Sequence, residues 1–162
     1  MKLTPCLTLV AFVASAPLAL HAAEVASTNL SVTATVLDSC VVTAPTGLVF
    51  ASVNTGTATN QTVQGSVAVV CTAAKPNVSV KMEGGDNAAA GKRYMKNNTN
   101  DLLPYVITSD AAHTTPVAID GALYTGPLNA VAPNIFPVYG QVPAGNYAAG
   151  VYTDTVRVTL NY

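Results

Sequence analysis

The sequence predicts an all-β protein, a sandwich of antiparallel strands, and three observations support that fold class. Strand-like segments recur at intervals of roughly ten residues and are separated by turns rich in Gly, Pro and Asn. Residues 30–36 and 156–162 alternate apolar and polar side chains, as strands with one buried face do. No segment shows a convincing helical periodicity. Together these patterns are typical of a β-sandwich with a single core.

The first 22 residues predict a secretory signal peptide. Lys2 precedes an apolar run over residues 7–20, and cleavage is expected after Ala22 or Ala23. A membrane anchor is the alternative, but the run is shorter than the ~20 residues that a spanning helix needs. Pro17 also interrupts it. The mature chain is therefore predicted to be exported.

The mature chain is nearly neutral and poor in charge. About 140 residues remain after the leader, enough for one domain with its own core. The full sequence has seven basic and eight acidic residues, and Lys2 is lost with the leader. Nucleic-acid-binding proteins carry a basic face, so this balance argues against a nucleic-acid partner. Scarce charge suits a protein that buries much of its surface against other subunits.

Two cysteines remain once Cys6 is removed with the leader. In an exported protein, the pair Cys40 and Cys71 predicts a disulfide. It would close a loop of about 32 residues and stabilise the fold by roughly 3–4 kcal/mol. Two separate buried thiols are the alternative. A metal site is disfavoured because His113, the only histidine of the mature chain, has no ligands at useful spacing.

The remaining elements follow in order after the first alternating segment. The predicted strands cover residues 40–43, 48–50, 66–71, 78–82, 102–107, 122–124, 136–139 and 156–162. Residues 54–64 and 109–116 are predicted loops, and residues 86–100 are a polar section that could form one helical turn at 88–90. Pro104 places its strand at an edge or a bend, because proline cannot donate to a ladder. Cys71 would meet Cys40 if their two strands cross the core.

The last predicted strand raises the question of what covers its edge. Val156, Val158, Leu160 and Tyr162 point to one side, and polar residues alternate with them. No later segment covers this edge, and unpaired apolar edges recruit other chains. The covering strand must come from earlier in the sequence or from another molecule.

Residues 30–36 are one candidate for that covering strand. They alternate in the same way and lie outside the predicted disulfide loop, so they are free to be exchanged. If they fill the edge of the next molecule, the contact is heterologous and propagates as a fibre. If they fold back onto their own domain, they form an ordinary first strand. The pattern alone leaves both alternatives open.

Catalytic and cofactor-binding motifs are weak, and the chain is not predicted to be an enzyme. A hydrolytic triad needs a proton-shuttling histidine, but His113 lies in a polar loop. Glu83 and Asp86 flank a double glycine, which favours a turn over a glycosidase pair. The same glycines lead into no phosphate-binding ending. The basic cluster at residues 92–96 is typical of a solvated loop. No catalytic, cofactor-binding or metal-binding residue is assigned.

Several short stretches, in a characteristic order and spacing, carry a family resemblance. They are Ser39-Cys40, Leu48-Val-Phe50, Gly65-Ser-Val-Ala-Val-Val-Cys71, Met82-Glu-Gly-Gly85, Lys92-Arg-Tyr-Met95, Leu103-Pro-Tyr-Val-Ile-Thr-Ser-Asp110, Pro137-Val-Tyr-Gly-Gln-Val-Pro-Ala-Gly145 and Gly150-Val-Tyr-Thr-Asp-Thr-Val-Arg-Val-Thr-Leu-Asn-Tyr162. With them the chain resembles the spore coat protein U domain, the subunit type of the archaic chaperone–usher pili. The last stretch is the most specific. Ala51, where the family usually has glycine, and Pro104, within the Leu-x-Tyr strand, are departures that concern local strand geometry.

The resemblance implies an incomplete immunoglobulin-like β-sandwich that lacks its seventh strand and is completed by donor-strand exchange. A periplasmic chaperone would lend a strand to the groove, and the N-terminal extension of the next subunit would replace it. The implied donor residues are Leu30, Val32, Ala34 and Val36, with Val25 outermost. The implied acceptor residues are Val156, Val158, Leu160 and Tyr162. The disulfide Cys40–Cys71 would clamp the open sandwich.

The resulting interpretation is a structural subunit of a surface pilus or spore-coat fibre that serves adhesion and biofilm formation. Its partners would be a periplasmic chaperone, an outer-membrane usher and other pilus subunits. Residues 1–22 would be the signal peptide, 23–37 the donor-strand extension and 38–162 the sandwich domain. The alternative is a self-contained, secreted monomeric sandwich that binds a ligand or coats a surface.

Overall fold

The computed structural model describes residues 27–162, which fall into two units, 27–35 and Val36–Tyr162. The predicted signal peptide and Val25 lie outside the described residues. Residues 27–39 adopt no regular secondary structure, and their side chains are exposed. The expected strand at residues 30–36 is therefore not formed within this chain.

The unit Val36–Tyr162 is built from β-strands alone, which confirms the predicted fold class. No helix occurs among residues 27–162. The strands are β1 Cys40–Thr46, β2 Gly56–Thr57, β3 Gln61–Cys71, β4 Lys75–Met82, β5 Arg93–Lys96, β6 Leu102–Thr108, β7 Gly121–Leu128, β8 Asn134–Val142, β9 Gly145–Asn146 and β10 Val158–Asn161.

Two antiparallel sheets supply the core. The larger has the order β1-β3-β8-β6-β5, the smaller has the order β10-β4-β7, and β2 and β9 form a separate short pair. Every second residue of the central strands points inward, because successive side chains of a strand alternate between its faces. The buried members from β3, β4 and β6 are Val67, Val69, Cys71, Val78, Val80, Met82, Leu103, Tyr105 and Ile107. Burying each valine or leucine contributes about 1.5–3 kcal/mol.

The structure confirms the disulfide between Cys40 and Cys71 but corrects its position. The two cysteines are direct partners on the neighbouring strands β1 and β3, with their Cα atoms 4.1 Å apart. The bond therefore lies within one sheet and does not cross the core, because their strands are adjacent. It fastens β1, one of the two outer strands of the larger sheet, to β3.

Four other local predictions are wrong. Residues 48–50 form no strand. Residues 88–90 form no helical turn; Ala89 and Lys92 are bridged across a tight turn in which Ala90 has φ 49° and Gly91 has φ 74°. The predicted loop at residues 54–64 contains β2 and the start of β3, and the polar section at 86–100 contains β5. In each missed strand, pairing with a neighbouring backbone outweighs the polar composition.

Within the part of the chain that the structure describes, Pro104 lies where β6 has a partner strand on one side only. Its strand pairs with β8 through Val106–Thr108, whereas Leu102–Pro104 pairs only with β5. The strand is internal in the sheet order, yet the proline sits in its locally free part. This agrees with the prediction of an edge or a bend, because Pro104 has no second neighbouring strand among the described residues.

Arg93, on β5, is a buried cation held by main-chain oxygens. Its Nε donates to the carbonyl of Glu83 at 3.0 Å and its Nη1 to that of Val117 at 2.6 Å. Nη2 donates to the carbonyls of Met82, Glu83 and Ala118 at 3.1, 2.9 and 3.1 Å. Burial lowers the pKa of Arg93. The side chain thus joins the end of β4 to the loop before β7.

Replacing Arg93 by lysine is expected to lower the free energy of unfolding by about 2–3 kcal/mol, because a single ammonium cannot satisfy the carbonyls that the planar guanidinium reaches. Urea unfolding, monitored by circular dichroism, measures the change. Lys92→Ala is the matched control, since that neighbouring side chain is exposed and should change stability little. An Arg93→Lys variant as stable as the native chain would contradict the assigned role.

Candidate functional site

A groove of about 810 Å³ opens along the sandwich domain. One wall comes from residues 44–55 and the other from residues 147–158. β1 contributes to the first wall and β10 to the second, and each is the outer strand of its sheet. The bottom of the groove consists of buried core residues, among them Val67, Met82, Leu103, Ile107 and Val138. The hydrophobic core is thus open between two strand edges.

The wall at residues 147–158 is fastened to the domain at separate points before β10 begins. Tyr147 N donates to Thr55 O at 2.8 Å. Thr153 and Lys96 exchange a pair of backbone hydrogen bonds of 2.9 and 3.0 Å, and Arg157 O accepts from Glu83 N at 2.9 Å. From Val158 onward the wall becomes β10 and pairs with β4. The regular strand is therefore shorter than the predicted 156–162.

The structure places two of the four predicted acceptor residues in the groove and two outside its lining. Val156 and Val158 line the groove. Leu160 packs against the core further along β10 but is not among the lining residues. Tyr162 is 60% exposed, and the Lys75 ammonium lies 4.3 Å from the centroid of its ring. Tyr162 thus contacts a lysine outside the groove.

Apolar side chains on the opposite wall were missed as site residues. Leu48, Phe50 and Val53 line the groove and pack against the core from a segment without regular structure. A β-carbon on Gly140 would lie 3.0 Å from the Phe50 ring and 3.1 Å from Leu48, so glycine lets this wall lie close to β8. The signal in the sequence was the apolar run at 48–50, but it predicted a strand and no groove.

The predicted donor residues are exposed. Leu30 is 87%, Val32 84% and Val36 92% exposed, and Ala34 is exposed as well. Large aliphatic side chains that alternate with Ser and Thr are unusual on a solvated segment. The described chain therefore displays an apolar stripe outside its own regular strands.

A polar cluster lies at the groove around Asp154, which lines it together with Tyr105. The Tyr105 hydroxyl donates to Asp154 Oδ2 at 2.5 Å. Asp154 Oδ1 accepts from the backbone N and the side-chain Nδ2 of Asn87 at 3.1 and 3.0 Å. Burial, followed by the bond to Asp154, raises the pKa of Tyr105, so the hydroxyl stays protonated and remains a donor.

The loop around His113 forms a local hydrogen-bonded turn. Asp110 accepts from Thr114 N and Oγ1, both at 2.9 Å, and from Thr115 N at 2.6 Å. His113 Nδ1 lies 3.1 Å from Thr108 Oγ1. Among residues 27–162, no group of three or more His, Cys, Asp or Glu residues could hold a metal ion. Within the same residues, no helix is long and apolar enough to cross a membrane.

Acid is expected to loosen this turn. The hydrogen bond from the Thr114 backbone, the largest cause, lowers the pKa of Asp110 to about 2. A lowered pKa means that the ionised form stabilises the turn. The contribution is therefore complete above the unfolded pKa of about 3.9 and is lost as the pH falls through about 2. NMR titration of the Thr114 and Thr115 amides should show a shared transition near pH 2, which Asp110→Asn should remove. A midpoint near 4 would contradict this.

Comparison with known proteins agrees with this architecture. The family model of the spore coat protein U domain matches residues 26–159. No curated protein matches the chain significantly in sequence. One similar structure is the crystal structure of the CsuC–CsuE chaperone–tip adhesion subunit pre-assembly complex, from the archaic chaperone–usher Csu pili of Acinetobacter baumannii. Its matching chain is 26% identical to the present chain, with a TM-score of 0.50. The match covers 79% of the present chain and 40% of that chain.

A second similar structure is a chaperone–tip adhesin complex described as vital for synergistic activation of CFA/I fimbriae biogenesis. Its matching chain is 14% identical with a TM-score of 0.44, and the match covers 75% of the present chain and 41% of that one. The present chain thus spans about two fifths of the length of these two chains. The family match extends over most of the sequence, from the exposed N-terminal stripe to β10. The protein belongs to the spore coat protein U domain family.

Proposed function

We propose that this protein is a structural subunit of a surface pilus or spore-coat fibre, assembled by the chaperone–usher pathway through donor-strand exchange. The observation that carries the proposal is the groove. Core residues such as Ile107 and Val138 line it, and it lies between two strands, β1 and β10, that each lack a neighbour on one side among residues 27–162. Such a domain needs one further strand to cover its core and pair its edges.

The N-terminal extension has the properties of that strand. Leu30, Val32, Ala34 and Val36 recur at every second position, so their side chains would enter one groove together while the intervening polar residues face water. Main-chain hydrogen bonds to the groove walls would supply affinity, and the buried side chains would set the register. Burial of each valine or leucine adds about 1.5–3 kcal/mol. Val25 would be the outermost donor.

On the acceptor side, the four proposed residues have unequal roles. Val156 and Val158 would contact the donor directly, since they line the groove. Leu160 would support them from the core side, and Tyr162 would border the far end of the strand. The disulfide Cys40–Cys71 would hold β1 in place while the groove is empty.

This proposal implies export through the periplasm, transfer by an outer-membrane usher and a location in a cell-surface fibre. The fibre would serve adhesion and biofilm formation. The similar structure from Csu pili is a complex of a chaperone with a tip adhesion subunit. It supports a periplasmic chaperone as the first partner here, and other pilus subunits as the later ones. The protein would have a structural and not a catalytic role.

Size-exclusion chromatography of the mature protein tests the proposal, with and without residues 24–37 and with and without a candidate chaperone. The full mature form should yield polymers or chaperone complexes, whereas the truncated form should yield chaperone complexes only. If the full form runs as a stable monomer without a chaperone, its own extension completes the sandwich. The monomeric secreted sandwich would then replace the pilus subunit.

A further inference from the structure

Three sequence motifs converge on one carboxylate in the groove. The motif at residues 82–85 provides Gly85, the motif at 103–110 provides Tyr105, and the last motif provides Asp154. Gly85 has φ +89°, and a β-carbon there would overlap the Asp154 carboxylate, so a residue without a side chain is required beside it. The contact joins the end of β4, the middle of β6 and the groove wall.

The hydrogen bonds of Asp154 fix the wall from two directions. Tyr105 binds it from the core and Asn87 binds it from the loop after β4. Asn87 Nδ2 also donates to Thr153 O at 3.3 Å, next to the backbone pair between Thr153 and Lys96. Both oxygens of the carboxylate are therefore occupied, and the fixed point lies four residues before β10 begins.

This position matters because the wall is a strand edge without a regular ladder. Residues 154–157 lie between the bridge at Thr153 and the first residue of β10, Val158. A donor strand needs the backbone groups of this stretch to be held in an extended line before it arrives. Holding a binding surface in its bound conformation raises affinity by reducing the ordering cost.

We propose that Asp154 is a positioning residue for donor-strand capture, which holds the groove wall in a receptive conformation while the groove is empty. The inference rests on the proposed function. The carboxylate itself need not touch the donor. Once the donor strand has paired with the wall, its ladder also holds that stretch, so Asp154 matters most before and during association.

Peptide capture tests this assignment. The receiving protein is the full mature chain with Val32→Asp in its own extension, which leaves the groove empty, and this chain is the native reference for the variants. A fluorescein-labelled synthetic peptide of residues 24–37 is added, and its association and dissociation rates are followed by fluorescence anisotropy. Asp154→Ala should slow association about tenfold or more, while dissociation changes less than about twofold. Tyr105→Phe should slow association by a smaller factor, and Asp154→Asn, which keeps an acceptor oxygen, should restore most of the rate.

Asp110→Ala is the matched control. It also removes a carboxylate that accepts three hydrogen bonds, but its turn does not line the groove. Its association rate should equal that of the native chain. Hydrogen exchange of residues 154–157 in the empty protein should be faster in Asp154→Ala and unchanged in Asp110→Ala.

Specific outcomes separate this inference from the proposed function. If the native chain captures the peptide and Asp154→Ala captures it at the same rate, the positioning role is wrong and the proposed function stands. Equal slowing of Asp154→Ala and Asp110→Ala, or faster dissociation with unchanged association, would indicate general destabilisation and would also overturn the role. If the native chain captures no peptide, the proposed function itself fails.

Discussion

Replacing Val32 by aspartate is expected to abolish polymerisation of the mature protein while its chaperone-bound form stays folded. In the proposed fibre, this side chain enters the groove over buried core residues, where no cation is available to pair with a carboxylate. A buried, unpaired charge costs about 3–5 kcal/mol, which weakens donor binding roughly a hundred- to several-thousandfold. Ala34→Asp should act in the same way. The exposed position of both residues within the chain predicts no loss of stability in the domain itself.

Ser31→Asp is the matched control for this variant. Its side chain alternates with the donor residues and would face water in the fibre, so polymer yield should stay close to the native value. Polymer length is measured by size exclusion and electron microscopy, and folding of the chaperone complex by circular dichroism. A normal yield of polymer from Val32→Asp would count decisively against donor-strand assembly through this segment.

The parts of the fold that the sequence predicts are those set by local alternation. The buried faces of β3, β4 and β6 follow from period-two patterns such as Val67, Val69 and Cys71, and the exposed stripe at Leu30 and Val32 is visible in the same way. The pattern arises because a sandwich strand has one solvent-facing and one core-facing side. It can therefore be read from a single strand without knowing which strands lie beside it.

Alternation within a strand does not show which strands are neighbours in a sheet. Cys40 and Cys71 are expected to form a disulfide, but the sequence pattern does not reveal that β1 and β3 are adjacent in one sheet. β5 was missed because Arg93 is polar, although its guanidinium is buried among backbone carbonyls. A cation that is satisfied by main-chain oxygens leaves no signature in composition.

The groove is formed partly by residues with a visible alternation and partly by residues that only the tertiary structure brings together. The alternation predicted that Val156 and Val158 share one strand face, and the family resemblance implied their place in the groove. Leu48 and Phe50 reach the groove from an irregular segment. Asp154 and Tyr105 are 49 residues apart, so their contact depends on the complete fold. The sequence predicted an uncovered edge for the last strand alone, whereas the position of β1 at the groove and the contacts of Asp154 depend on the tertiary structure.

Removing the disulfide by the double substitution Cys40→Ser and Cys71→Ser is expected to lower the free energy of unfolding by about 3–4 kcal/mol. The two cysteines are 31 residues apart, and the bond restricts the unfolded chain accordingly. In the native state it also fastens β1, which borders the open groove and, among residues 27–162, pairs with β3 alone. Since small domains have only about 5–15 kcal/mol in total, this loss is a large fraction of the free energy of unfolding of the chaperone-free subunit.

Urea unfolding of the chaperone-free, donor-peptide-filled and chaperone-bound forms measures this effect. The neighbouring cross-strand pair offers a matched control, because Val41 and Val70 are exposed direct partners on the same two strands. Val41→Ser with Val70→Ser should cost less than about 1 kcal/mol per pair. If the cysteine variant loses no more than this control, the disulfide does not secure the groove. A large loss in the empty form and a small one in the filled forms would instead show that β1 needs the bond chiefly until a donor strand covers its free edge.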